Sequence, residues 1–234
     1  MVRLLLSSDS SFCVEFGNSI SLEINNLVRA YTILAEQADI DGVLEYVPTY
    51  RSVTVHYRPE IASYAALKEK LLALTGKITE VETPPMRTIR IPVLYGGAYG
   101  PDLANLAAFT GLTEQEVIHL HSKAEYIIYM LGFLPGFCYL GGMDTRISMP
   151  RLQAPRVNIP AGSVGIAGSQ TGIYPLDSPG GWNIIGRTPF RMYDPNRERP
   201  FLLDAGMRLS FYPIGQAEFD EIHAEEYGEG GAGQ

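Results

Sequence analysis

The sequence is poor in the residues that build metal centres and disulfide frameworks. Two cysteines, Cys13 and Cys138, stand far apart with no CxxC spacing, so they make neither a zinc site nor a redox motif. Both lie in apolar surroundings and read as small core residues. A bridge between them does not suit a reducing compartment. No apolar run approaches the roughly 20 residues that cross a bilayer. The apolar stretch Met1–Leu6 is too short for a secretory signal, and Ser7-Ser8-Asp9-Ser10 offers no cleavage pattern. A cytoplasmic protein with no membrane partner is the expectation. Positive charge is also scarce: 18 basic against 26 acidic residues leave a net charge of −8, which argues against a nucleic-acid partner.

Nucleotide and hydrolase signatures are missing as well. There is no GxxxxGK[ST] and no GxGxxG opening a helix. Ser163, in Ala161-Gly162-Ser163-Val164-Gly165, lacks the first glycine of a nucleophile elbow. His119 and His121 are two apart near a helix end, and helical i, i+2 residues do not share a face, so no metal site is expected. His121 is instead placed at the helix C-terminus, where the dipole favours its cation.

What is present divides the chain in two. Residues 1–85 read as an α+β unit. Val2–Leu6 and the alternating Phe12, Val14 and Phe16 form strands. Ser21 caps a helix carrying Ile24, Leu27, Val28, Tyr31, Leu34 and Ala35 on one stripe. Val43–Val47 and Ser52–Tyr57 form a hairpin, a helix spans about Ser63–Leu74, and a strand at Ile78–Val81 closes the unit. The order β-α-β-β-α-β is ferredoxin-like, with His56 on the outer face. Thr83-Pro84-Pro85-Met86 is a linker.

Residues 86–227 have a different texture. A strand at Arg87–Leu94 and a short helix from Pro101-Asp102 to Gly111 lead to a capping box, Thr113 with Glu116, that starts another helix. Beyond Glu125 short apolar runs alternate with Gly and Pro turns: Tyr126–Leu131, Val164–Ala167, Trp182–Gly186, Phe201–Leu203 and Arg208–Pro213. That pattern predicts a closed or sandwiched β structure. A helix at about Gly215–Glu226 follows, and residues 228–234 read as a disordered tail.

Chemistry concentrates in this second half. All eight basic residues from Arg146 to Arg208 are arginine, against Asp177, Asp194, Glu198 and Asp204. Guanidinium forks hold carboxylates and phosphates in fixed geometry, which an ammonium does not. Arg197 and Arg199 read as solvated; Arg151, Arg156 and Arg187 stay open. Seven glycines between Gly162 and Gly186 mean tight turns, bulges or a backbone that a ligand approaches closely.

One resemblance spans nearly the whole sequence. Leu120-His121-Ser122, Tyr129-Met130-Leu131-Gly132-Phe133-Leu134-Pro135-Gly136-Phe137-Cys138-Tyr139-Leu140-Gly141-Gly142, Ile159-Pro160-Ala161-Gly162-Ser163-Val164-Gly165-Ile166-Ala167-Gly168-Ser169-Gln170-Thr171-Gly172 and Ser178-Pro179-Gly180-Gly181-Trp182 resemble the allophanate hydrolase subunit 1 family. Cys138 departs from the small residue or proline expected there. The family includes the B subunit of bacterial ATP-dependent 5-oxoprolinase and the Kip-type inhibitor of a histidine kinase. It implies a ferredoxin-like domain followed by a cyclophilin-like β-barrel. It also implies partners, an allophanate hydrolase subunit 2-type protein (the C subunit of 5-oxoprolinase) and a LamB/YcsF-type protein (the A subunit), with ATP at a site shared with a partner. The implied activity is opening of the 5-oxo-L-proline lactam to L-glutamate, an ATP-dependent reaction. Inhibition of histidine kinase autophosphorylation, or action on urea or allophanate, is the alternative.

For a small anionic substrate the residues suggest a map. Amides of Gly162–Gly172, Ser163, Gly165 and Gly168 among them, hold an oxyanion or phosphate. Arg151, Arg156 or Arg187 clamps a carboxylate, and His121 carries a proton. Gln170, Thr171 and Ser178 donate hydrogen bonds, and Gly180 and Gly181 let the ligand approach. Phe133, Phe137, Tyr139 and Trp182 wall the pocket.

Overall fold

The computed structural model describes residues 2–81 and 85–228. Contacts divide the chain into two units, Met1–Pro85 and Met86–Gln234. The linker residues Thr83 and Pro84, and all of the expected tail except Gly228, lie outside the described residues.

In the first unit the strands are β1 (Arg3–Leu6), β2 (Ser11–Glu15), β3 (Val43–Pro48) and β4 (Ser52–Tyr57), with helices α1 (Leu22–Gln37) and α2 (Tyr64–Thr75). Ser21 and Ser63 cap the helices by accepting from the backbone N–H groups of Ile24 and Ala66. The sheet runs β1-β2-β4-β3, antiparallel throughout. Phe12 and Val14 of β2 and Val53, Val55 and Tyr57 of β4 share one core with Val28, Tyr31, Leu67 and Leu71 of the helices. The expected strand at Ile78–Val81 is not one: Ile78–Glu80 forms a turn of 3₁₀ helix. A closing strand of a βαββαβ unit would lie beside β2. That edge is already filled by β1, in register from Arg3–Glu15 to Leu6–Phe12.

The second unit is built on a closed barrel. Its strands are β5 (Thr88–Tyr95), β6 (Tyr126–Leu131), β7 (Cys138–Gly141), β9 (Ser163–Ala167), β10 (Gln170–Ile173), β12 (Asn183–Arg187) and β13 (Arg208–Pro213), with β8 (Arg156–Ile159) and β11 (Ser178–Gly180) forming a separate ribbon. The barrel order is β10-β7-β6-β13-β5-β12-β9, and only β5–β13 is parallel. Helices α3 (Leu103–Thr110) and α4 (Glu114–Lys123) precede β6, and α5 (Gln216–Tyr227) follows β13. The capping box at Thr113 and Glu116 is formed, and Gly111 ends α3 at φ +71°. Phe201–Leu203 makes a single bridge, Tyr193 to Phe201, rather than a strand.

Alternation sorts the strand side chains. Val164, Ile166, Ile173 and Ile185 point into the barrel with Ile91, Val93, Ile128, Leu209 and Phe211. His121 belongs to this interior. It is fully buried, stacked on Phe211 at 4.5 Å between ring centroids. Its contacts fix the tautomer. Thr171 Oγ1 donates to the Gly165 carbonyl, so it accepts from His121 Nε2–H at 2.9 Å; His121 Nδ1 then accepts from the Tyr95 hydroxyl at 2.8 Å. Burial lowers the imidazole pKa to about 3. The expected helix-terminal cation and proton carrier is therefore a neutral core group, because desolvation outweighs the helix dipole.

The unfolded chain takes up a proton at His121 near pH 6.5, which the folded chain resists until about pH 3. The stability this residue contributes is complete above pH 6.5 and is lost as pH falls towards 3. Urea titrations of the wild type and His121→Gln at pH 7 and pH 5 are expected to show the wild type losing about 2 kcal/mol more than the variant.

Candidate functional site

The glycines explain where the site lies. Gly165 of β9 and Gly172 of β10 are paired across the ladder and face outwards. A Cβ on Gly172 would stand 3.0 Å from the Cys138 carbonyl oxygen, 3.1 Å from the Phe137 ring and 3.3 Å from the Trp182 ring; one on Gly165 would meet the Trp182 and Ile184 side chains. The absence of side chains thus lets Phe137 and Trp182 lie directly on the barrel wall. With Ile159, Ala167, Tyr174 and Ile184 they form a second, smaller core. Phe137 is its centre: the rings of Phe133, Tyr139, Tyr174 and Trp182 meet it edge-on at 5.1–5.6 Å. Gly180 is required as well, since its Cβ would stand 2.4 Å from the Tyr174 hydroxyl oxygen.

These rings line a cavity of about 390 Å³, closed by Pro155, Pro179, Gly180 and Gly181 and rimmed by Arg151. Arg151 is exposed and makes no ion pair or hydrogen bond among the described residues. Burial pushes the Tyr174 phenol up to about 12, while the Trp182 backbone N–H and the Arg151 guanidinium pull the other way. Burial also raises Tyr139, again opposed by Arg151. Both phenols are neutral at pH 7. Phe133, at the mouth, is 66% exposed and holds φ +68°, a conformation costly for a non-glycine residue. The Cys138 thiol beneath is buried and pushed up to about 12, so it is inert.

A second cavity, about 350 Å³, is lined by Tyr99, Arg156, Asn158, Ser163, Ile184 and Arg187 together with residues of the neighbouring loops. Arg156 is not free to clamp a substrate. Its Nη2 donates to Asp102 Oδ1 at 2.6 Å and its Nη1 to the Trp182 carbonyl. Asp102 is buried at the start of α3 and also accepts from the Ile184 N–H at 2.6 Å. The carboxylate ties α3 and β12 to the arginine of β8. Arg187 donates from Nε to the Ala161 carbonyl, and its terminal nitrogens have no partner among the described residues.

Of the expected site residues, Phe133, Arg151, Gly180, Gly181 and Trp182 come together at the aromatic cavity; Arg156, Ser163 and Arg187 meet at the other. The amide cradle expected between Gly162 and Gly172 is not there. Gly162 N–H donates to the Tyr174 carbonyl, Ser163 N–H to Pro160 and Gly168 N–H to Met149, while Gly165 and Gly172 belong to the ladder. Gly168, at φ +59°, makes the two-residue β9–β10 turn. Thr171 is spent on His121 and Gly165, and the Ser163 hydroxyl on the Pro160 carbonyl. Gln170 beside the turn and Ser178, buried in β11, line neither cavity. Sequence reasoning missed Asp102, Tyr99, Asn158 and the site role of Tyr174. Asp102 before a helix reads as a cap, and no local signal exposes its pairing with a residue 54 positions on.

Arg156→Ala leaves the Asp102 carboxylate buried and unpaired. Because the arginine is itself about a third exposed, the expected loss is about 2–3 kcal/mol, below that of a fully buried pair. Arg151→Ala is expected to change stability by less than about 0.5 kcal/mol. Urea midpoints of the two variants check this contrast.

The model for the carboxyltransferase domain, subdomain C and D, matches residues 2–203. The 5-oxoprolinase B subunit of Bacillus subtilis is 40% identical over 227 residues, covering 93% of this chain and 95% of that protein. Its counterpart from Escherichia coli O157:H7 is 44% identical over 212 residues, covering 90% and 95%. Among solved structures, TTHA0988 matches with a TM-score of 0.77 and 37% identity over 92% of this chain, which spans 40% of that longer chain. PH0987 of Pyrococcus horikoshii matches with a TM-score of 0.56 and 45% identity, over 93% of this chain and all of PH0987. The chain belongs to the carboxyltransferase domain, subdomain C and D, family and to its branch of 5-oxoprolinase B subunits.

Proposed function

We propose that this chain is the B subunit of an ATP-dependent 5-oxoprolinase, acting in the cytoplasm on the lactam of 5-oxo-L-proline with the C-type and A-type subunits of that complex as partners. The observation that carries the reading is the unpaired Arg151 guanidinium at the rim of an aromatic cavity. A five-membered lactam is flat, small and apolar on both faces, and it carries one carboxylate. Phe137, Tyr174 and Trp182 offer faces and edges for the ring, and Arg151 offers a fork for the carboxylate. The Tyr174 hydroxyl, whose oxygen already accepts from the Trp182 N–H, keeps its own proton to donate to the ring carbonyl. Urea lacks a carboxylate and leaves Arg151 unmatched, which favours the lactam over urea. The barrel and the four-stranded unit take the names cyclophilin-like and ferredoxin-like on the same reading.

Bound ATP would supply the drive for opening an unactivated amide by phosphorylating the amide oxygen with release of ADP, so that water can add at the activated carbon, the ring C–N bond can break and phosphate can leave. The amides of Gly162, Ser163 and Gly168 and of the β9–β10 ladder do not fit a triphosphate, because their hydrogen bonds are taken within the fold. In this chain the residues bind and orient: Arg151 fixes the carboxylate, the rings exclude water, and Tyr174 polarises the carbonyl.

In a complex reconstituted with its partner proteins, Arg151→Ala is expected to raise KM for 5-oxo-L-proline at least tenfold, with kcat changed less than threefold. Glutamate release measured with and without ATP reads this out. An unchanged KM, or no ATP-dependent glutamate release from the wild-type complex, contradicts the reading.

A further inference from the structure

The second cavity is absorbed neither by the lactam reading nor by the fold. It shares no lining residue with the aromatic cavity, and its lining differs in kind. Two guanidinium groups, Arg156 and Arg187, contribute to it. Asp102, the carboxylate beside them, is paired with Arg156 and accepts from the Ile184 N–H. Arg187 is anchored through Nε alone, which fixes the plane of its fork and leaves both terminal nitrogens to an incoming group. Around it stand neutral donors. Asn158 is exposed and has no hydrogen-bond partner among the described residues. Tyr99 accepts from Gln216 Nε2 at 3.0 Å, so its hydroxyl proton remains to be given. The Ser163 hydroxyl is spent on Pro160.

We propose that this cavity is a phosphoryl-binding site, separate from the aromatic cavity, in which Arg187 grips the phosphate oxygens and Asn158 and Tyr99 complete the donor set. The Asp102 carboxylate is taken up by Arg156, so Arg187 presents its charge to the cavity without a carboxylate partner, and its two free nitrogens beside further neutral donors suit the several oxygens of a phosphoryl group. The rigid fork of Arg187, flanked by neutral donors, matches the three oxygens of a terminal phosphate. The Asp102–Arg156 pair holds the wall and adds its residual field without having to move. A cavity of about 350 Å³ is larger than one phosphate, so the group can arrive as inorganic phosphate, as pyrophosphate or as the end of a nucleotide. The site stands whether or not the lactam reading does, since it shares no side chain with the aromatic cavity.

The field of Arg187 also reaches α5. His223 is held below its ordinary value first by burial and then by Arg187, with Asp220 opposing. An anion seated on Arg187 cancels part of that repulsion, which gives a local reporter.

The test uses the full chain, titrated calorimetrically with inorganic phosphate, pyrophosphate, ATP without magnesium, and acetate. The wild type, Arg187→Gln and Arg151→Gln are compared, and the His223 ring resonances are followed against pH. Arg187→Gln loses one carbonyl contact and is expected to fold; circular dichroism verifies it, and Arg187→Lys serves if it does not. Saturable 1:1 binding of pyrophosphate, weakened at least tenfold in the Arg187 variant and unchanged in Arg151→Gln, with His223 titrating higher when pyrophosphate is bound, is the expected result. Tighter binding of ATP than of pyrophosphate identifies a nucleotide as the source, and equal binding identifies the free anion. No saturable binding of any phosphate, equal binding of acetate, binding indifferent to the Arg187 substitution, or an unmoved His223 overturns the assignment.

Discussion

The second unit turns on a contact that side chains at two positions would crowd. Gly165 and Gly172 sit opposite one another on the outer face of the barrel and leave it bare. Phe137 and Trp182 press onto that bare patch, so that a methyl group at either glycine would stand only 3.1–3.3 Å from their side chains. Glycine weakens a strand by roughly 0.5–1 kcal/mol. Here that cost is offset by aromatic area buried against the wall and by edge-on ring contacts, each contributing about 0.5–1.5 kcal/mol beyond area burial. The consequence is a two-sided wall. Inward, Val164, Ile166 and the His121–Thr171 pair fill the barrel; outward, the same strands carry the floor of a cavity.

Charge then separates the two cavities. Arg156 is bound to Asp102 and serves the fold, while Arg151 and Arg187 keep capacity for an outside anion. A chain of net charge −8 places these groups where carboxylates are few: Asp177, the acid in the loop between β10 and β11, is taken up by the Ala161 N–H. The proposed anion recognition therefore rests on the local arrangement and not on the global field, which repels anions. Guanidinium suits the task because its plane can be fixed by one contact while the remaining donors stay available.

Much of this was legible in the sequence. Two units, the strands flanked by Gly and Pro, the capping box and the arginine bias all follow from local signals. The motifs resembling the allophanate hydrolase subunit 1 family added the barrel and led to the branch that the relatives share. The glycine density suggests tight turns or a ligand close to the backbone; the turns are there at Gly162 and Gly168, but the groups that crowd Gly165 and Gly172 are the protein's own side chains and not a ligand. Periodicity locates glycines and says nothing of what packs on them. Ile78-Thr79-Glu80-Val81 places its two apolar residues three apart, the spacing of a helical turn and not the period of two of a strand, and the edge a strand needed was filled by β1. His121 lies four residues after the buried Val117, on the same helical face; that spacing was the available sign that it points inwards. Asp102 and Arg156 are paired across 54 residues, a distance at which local pattern carries no information.

The central claim is that Arg151 and the aromatic cavity together recognise a small cyclic amide bearing a carboxylate. Trp182 is the sole tryptophan of the chain and lines that cavity, so its fluorescence reports on the site alone. Titration of the full chain with 5-oxo-L-proline and with 2-pyrrolidinone, the same ring without the carboxylate, is the most direct measurement. A saturable change in Trp182 emission with the former, at least tenfold weaker with the latter, is the predicted result. Equal responses to both rings, or none to either, would contradict the account.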